Sequence, residues 1–221
     1  MLLVLAGVNG AGKSSVGGGL LTLQGLTWFN PDTFARELAM AIGCPQDLAN
    51  RAAWAEGVRR LDLAIDARRS YAFETTLGGH TITRKILAAT RTHEVIIWFC
   101  GLRSPELHLS RVRARAARGG HDIPEAIIRT RWLSARQNLI GLMPHVAHLQ
   151  VFDNSIEVGF GESVPDPVLV LQMRGGRLVW PARDDRAALG RTPDWARPLV
   201  EAALPATRPV RAAPPSRSAR R

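Results

Sequence analysis

The stretch GVNGAGKS, Gly7 to Ser14, is a full match to the pattern G-x-x-x-x-G-K-[ST]. It follows the apolar run LLVLA and opens a segment with helical spacing, so the expectation is a strand, a tight loop and a helix N-terminus. In that setting the backbone N–H groups of Gly7, Val8, Asn9, Gly10, Ala11 and Gly12 curl around phosphate oxygens. The positive end of the helix dipole adds to them. Lys13 then reaches β- and γ-phosphate oxygens, Ser14 offers its hydroxyl to Mg²⁺, and Ser15 lies beside it. The ligand pair this implies is ATP with Mg²⁺.

GVNGAG also fits a glycine-rich dinucleotide loop, which is followed by an acid about 20 residues on, and Asp32 stands near that place. A Lys-Ser pair opening the helix has no role beside a pyrophosphate already held by backbone amides, so the phosphate-loop reading is preferred. Gly17, Gly18 and Gly19 interrupt the helix at about 1 kcal/mol each. Close packing of that helix on a sheet would account for them.

Short apolar runs alternate with longer amphipathic segments along the chain, the pattern of a parallel sheet with helices on its faces. Strands are expected near Leu2 to Ala6, Thr27 to Phe29, Tyr71 to Phe73, Glu94 to Cys100 and Leu149 to Phe152. Helices are expected at Lys13 to Leu23, Pro31 to Ile42, Asp47 to Arg69, Thr81 to Arg91, Pro105 to Arg118 and Ile123 to Leu142. LVLQMRGGRLVW then reads as a hairpin about Gly175-Gly176, with a last helix near Trp195 to Leu204. The fold class is three-layer α/β/α with a mainly parallel five-stranded sheet and a small C-terminal hairpin and helix. Residues 1–160 form the main domain, 161–204 an extension and 205–221 a disordered basic tail.

Basic residues outnumber acidic ones 29 to 19 in 221 residues, and Lys13 and Lys85 are the only lysines, so the positive charge is almost all arginine. That favours anionic partners. The tail PATRPVRAAPPSRSARR has five arginines and no acid; it reads as a solubilising segment, with nucleic-acid contact expected nowhere else. Cys44 and Cys100 show no CxxC spacing, which suits core thiols in a reducing compartment. MLLVLAGV runs straight into the glycine motif, so neither a leader nor a membrane span is expected, and the location is cytoplasmic.

In WFNPDTFARE, Asn30 is placed to cap a helix, Pro31 to sit at its first position and Asp32 to complement its dipole. Asp32 also falls at the carboxyl end of a strand, where ligands of open α/β sheets lie. There it can accept the proton of a hydroxyl attacking the γ-phosphate. FETTLGGHT places Glu74, Thr75 and Thr76 similarly, with Glu74 on a substrate hydroxyl or on water-bridged Mg²⁺. In SPELHLSRVRARAARGGHDIPE a helix starting at Ser104-Pro105 carries Arg111, Arg115 and Arg118 within about 60° of one another, a stripe suited to clamp a transferring phosphoryl group. Asp122 and Glu125 are spaced as a capping box. His121 lacks a visible partner, and His145 with His148 lacks the further ligands of a metal site.

GVNGAGKSS, FNPD, FETT, RVRARAARGGHDIPE and DNS, in this order, resemble the zeta-toxin-like P-loop kinases, a branch often labelled as AAA- or ABC-type ATPases. The likeness runs from about Leu2 to Ser155. It implies a fold that binds ATP and Mg²⁺ at the loop and phosphorylates a hydroxyl, which in zeta toxins belongs to UDP-N-acetylglucosamine. By motif, Asp32 looks like the catalytic aspartate, acting with Lys13 and Arg118. Glu74, Thr75, Thr76 and Arg131 look like substrate or phosphate contacts, beside Arg111 and Arg115 on the nucleotide. A small-molecule phosphoacceptor and an antitoxin or other inhibitor protein are the partners implied. The alternatives are a kinase of nucleic-acid ends, suggested by the tail, and a non-catalytic ATP-gated interaction module. The lack of a Walker-B aspartate after EVIIWFCGL argues against a motor ATPase.

Overall fold

The computed structural model describes residues 1–14, 17, 28–120, 122–157 and 165–204. Its centre is a sheet of β1 (Leu2–Ala6), β2 (Tyr71–Thr75), β3 (Val95–Gly101), β4 (His148–Asp153), β5 (Val168–Arg174) and β6 (Arg177–Trp180). The spatial order is β2-β1-β3-β4-β5-β6. The first four run parallel and the last two antiparallel. β1 is buried at all five positions, as expected of a central parallel strand covered on both faces.

Among the described residues the sheet therefore has six strands where five were expected, for two reasons. Near Thr27 to Phe29 only Phe29 bridges, in parallel with Phe73; Thr27 lies outside the described residues. The expected hairpin, in turn, joins the sheet. β5 pairs along β4 from Asp153↔Val168 to His148↔Arg174, which covers backbone groups that an edge strand would leave open.

The helices are α1 (Pro31–Ile42), α2 (Gln46–Asp66), α3 (His80–Ala89), α4 (Pro105–Ala116), α5 (Glu125–Leu142), α6 (Arg186–Gly190) and α7 (Arg197–Ala203). Lys13, Ser14 and Gly17 are also helical; the remainder of the segment expected as a helix to Leu23, and the basic tail, lie outside the described residues. Asn30 caps α1 by accepting from the N–H groups of Asp32 and Thr33, and Gly43 ends it at φ 64°. Ser104 caps α4 through Leu107 N. The capping box at Asp122 does not form: Pro124 takes the cap position, while Asp122 accepts from Ile123 N and Glu125 pairs with Arg113 and Arg129.

Leu2, Val4, Ile97, Phe99, Leu149 and Val151 form one face of the sheet and pack with Ile128 and Leu139 of α5, Leu199 of α7 and Trp195 just before it. Leu3 and Ala72 lie in a smaller cluster with Trp28, Ile96 and Trp98. Trp195 stacks obliquely on Phe99, centroids 6.5 Å apart, and its ring lies so close to Gly101 that a Cβ there would come within 2.2 Å. Gly101→Ala should thus cost about 1–3 kcal/mol in urea unfolding. In a Trp195→Leu background the same change should cost under about 0.5 kcal/mol, because the ring it collides with is gone.

Candidate functional site

The loop has the backbone its sequence calls for. Gly7, Gly10 and Gly12 adopt φ of 140°, 82° and 84°, values that side-chain-bearing residues rarely reach. A Cβ on Gly7 would also lie 2.2 Å from the carbonyl oxygen of Cys100, and one on Gly12 would lie 2.3 Å from Asn154 Nδ2. Gly17 answers one of the three helix glycines: a Cβ there would press on the Leu5 side chain at 2.5 Å. Gly18 and Gly19 lie outside the described residues, as do Ser15 and His121.

Glu74 sits inside β2, opposite Leu5, and is almost wholly buried together with Lys13. Its carboxylate is 3.3 Å from Lys13 Nζ, accepts from Ser14 Oγ at 2.8 Å and accepts from Asn30 Nδ2 at 3.1 Å. Asn30 also donates to Ser14 Oγ at 3.3 Å. Phe29 makes this possible, because its N–H and C=O bond to Ala72 and Glu74 of β2 and bring the start of α1 to the loop. Asn30 is thus both cap and site residue, a second role that its capping pattern concealed.

Asp32 lies two residues further on, with its Oδ2 3.4 Å from Arg115 Nη1. Both line an open cleft of about 1520 Å³, as do Asn9, Gly12, Lys13, Ser14 and Glu74. Arg111 lines it too; burial lowers its guanidinium from the ordinary value, and it donates to the carbonyl of Ile156. α4 ends before Arg118, yet Arg118 joins Arg36, Arg111 and Arg115 around a neighbouring cavity of about 430 Å³. The three arginines of the stripe are therefore brought together, and Arg36 of α1 is a fourth that the sequence did not single out.

Arg131 donates from Nη1 to Asn9 Oδ1 at 2.8 Å. Burial lowers its guanidinium, against which Asp32 acts as a raising charge. The hydroxyls of Thr75 and Thr76 accept from Leu77 N and Gly78 N, holding a turn in which Leu77 has φ 54°. Neither threonine lines the cleft. Burial pushes the Cys100 thiol up to about 12, in keeping with a core thiol.

His108 escaped the sequence reading. It is buried on α4 and its Nδ1 lies 2.8 Å from the carbonyl oxygen of Asn9. Its signal was present, since it precedes Arg111 and Arg115 by three and seven residues and shares their stripe.

Serine hydroxyl and carboxylate are hard oxygen donors of the kind Mg²⁺ takes alongside phosphates, so Ser14, with Glu74 behind it, fits the ion. Among the described residues, no group of three or more His, Cys, Asp or Glu could hold a metal by itself, and no helix is long and apolar enough to cross a membrane.

No family model matches the chain. A protein of Haemophilus influenzae described as uncharacterized is 30% identical over 134 residues, which is 57% of this chain and 88% of that one. Among solved structures, an AvrRxo1-ORF1:AvrRxo1-ORF2 crystal structure with sulphate ions matches at TM-score 0.60 and 15% identity, over 88% of this chain and 64% of that one. The same pair with ATP matches at 0.55 and 17%, over 81% and 60%. The chain thus spans less than two thirds of these partners. A structure from the PezAT chromosomal toxin-antitoxin system of Streptococcus pneumoniae matches at 0.50 and 16%, over 69% and 68%. At such identities the likeness is one of fold.

Burial holds the His108 imidazole down at about 4, with Lys13 and Arg111 adding to the depression and the Asn9 bond opposing it. The native ring stays neutral while the unfolded chain takes up a proton below about pH 6.5, so stability is full above that pH and falls between about 6.5 and about 4. Urea unfolding should show up to about 3 kcal/mol of this loss in wild type and a flatter profile over the same range in His108→Asn.

Proposed function

Since the chain belongs to the family of the Haemophilus influenzae protein and folds as a zeta-toxin-like P-loop kinase, we propose that it transfers the γ-phosphate of ATP to a hydroxyl of a small metabolite. The observation that carries this is that the loop and the acid line one cleft. Lys13, Ser14 and the loop residues Asn9, Gly10 and Gly12 line it together with Asp32, Arg111 and Arg115.

The loop amides and Lys13 hold the β- and γ-phosphates. To reach them Lys13 leaves Glu74, exchanging one oxyanion for another. Ser14 is the residue to hold Mg²⁺, which when bound neutralises charge on the phosphates. Asp32 accepts the proton of the acceptor hydroxyl as its oxygen bonds to the γ-phosphorus. The bond from that phosphorus to the β,γ-bridging oxygen breaks, and its electron pair leaves with ADP. Arg115, already paired with Asp32, and Arg111 and Arg118 stabilise the charge on the moving phosphoryl group. Arg131 steadies Asn9 and faces the same charge, and Glu74 keeps Ser14 and Asn30 in place. Thr75 and Thr76 fix the turn after β2.

The acceptor we propose is a nucleotide sugar of the UDP-N-acetylglucosamine kind or a related phosphorylated metabolite, which the arginine-lined cavity beside Asp32 suits. An inhibitor protein over the cleft is part of the same proposal: the AvrRxo1 structures are of ORF1:ORF2 pairs and PezAT is a toxin-antitoxin system. A reducing, intracellular setting accords with the buried Cys100 and half-buried free Cys44.

With γ-labelled ATP, Mg²⁺ and a panel of nucleotide sugars, wild type should label an acceptor. Asp32→Ala should lower kcat by about a hundred- to ten-thousand-fold with ATP affinity retained, and Lys13→Ala should lose affinity as well. If Asp32→Ala transfers as fast as wild type, Asp32 only starts a helix. ATP binding without transfer to any acceptor would favour a non-catalytic ATP-gated module.

A further inference from the structure

Two peptide planes in the loop have their carbonyls held from outside it. The carbonyl oxygen of Asn9 lies 2.8 Å from His108 Nδ1, and that of Ala11 accepts from Asn154 Nδ2 at 2.9 Å. A carbonyl only accepts, so the neutral imidazole carries its proton on Nδ1. In a trans peptide C=O and N–H point in opposite directions. Fixing Asn9 O against α4 and Ala11 O against the segment after β4 therefore turns the N–H groups of Gly10 and Gly12 away from those two contacts, and both glycines line the cleft.

Both holding groups are themselves fixed. His108 is buried on a capped helix. Asn154 bonds through its own N–H to Gly101 O at the end of β3, and its neighbour Ser155 is held by Asp153 and by Arg103 N. The fit to the glycines is close: a Cβ on Gly10 would come within 2.9 Å of the His108 carbonyl oxygen, and one on Gly12 within 2.3 Å of Asn154 Nδ2.

We propose that His108 and Asn154 are positioning residues that hold the Asn9 and Ala11 carbonyls outward and so preform the anion nest of the loop. This rests on the reading of the loop as the phosphate site of ATP, but not on any transfer. Because His108 shares α4 with Arg111 and Arg115, the same bond registers the arginine helix against the loop. Without the clamp, either peptide can turn over and present an oxygen to the phosphates, which opposes binding instead of favouring it.

The test is calorimetric titration of the full chain with ADP and with inorganic pyrophosphate, beside thermal melting of each variant. His108→Leu and Asn154→Ala should each weaken both ligands about tenfold at temperatures where the variants are folded. His108→Asn, whose Nδ2 takes the place of Nδ1, should stay within about threefold of wild type. Should His108→Leu fail to fold, Asn154→Ala, which alters a half-buried loop residue, carries the measurement. Lowered melting with ADP and pyrophosphate affinities unchanged would make the two residues merely structural and overturn the proposal, as would a wild type that binds neither ligand. A wild type that binds ADP but phosphorylates nothing counts against the kinase reading alone, because the clamp is judged on ADP affinity.

Discussion

A carboxylate is costly to remove from water unless other groups replace the water, and Glu74 is almost wholly removed. Lys13, Ser14 and Asn30 replace it, from two parts of the chain: the start of the helix that follows the loop and the cap of α1. The local architecture follows from that requirement. Phe29 must lie against β2 to deliver Asn30, and once Asn30 is fixed, α1 starts where Asp32 faces the cleft. The ion pair is also conditional. Lys13 has one ammonium group, and under the proposed function a phosphate on the loop competes with Glu74 for it, while Glu74 keeps its bonds to Ser14 and Asn30.

A second constraint acts on the loop itself. Positive φ at Gly10 and Gly12 permits the nest without choosing it, since glycine visits several backbone regions. The choice falls to contacts from elsewhere: His108 from α4, Asn154 from the end of β4, and Arg131 from α5 on the Asn9 side chain. Glycine loop and arginine helix are therefore parts of one packed unit, and on the proposed reading the charge in the cleft is arranged before a ligand arrives, the condition under which electrostatic stabilisation is most effective.

The parts legible in the sequence were those whose signals are local. The glycine loop, the Asn30-Pro31 start of α1, the Ser104-Pro105 start of α4 and the arginine stripe each need only a few neighbouring residues. What escaped depends on distant partners. Asn154 meets Ala11 across 143 positions and His108 meets Asn9 across 99, and no spacing rule reaches so far. Local rules also failed where tertiary contacts outbid them: Glu125 bonds to arginines instead of completing a box with Asp122. The hairpin about Gly175-Gly176 was readable as a hairpin, but its place in the main sheet was not, because that is set by the open edge of β4.

The most direct test is a crystal structure of the protein with a non-hydrolysable ATP analogue and Mg²⁺. The account predicts the β- and γ-phosphates on the amides of Gly10 to Ser14, Lys13 moved from Glu74 onto phosphate oxygens, and Asp32 facing the γ-phosphate across the cleft. A nucleotide seated elsewhere, with Lys13 still paired to Glu74, would contradict it.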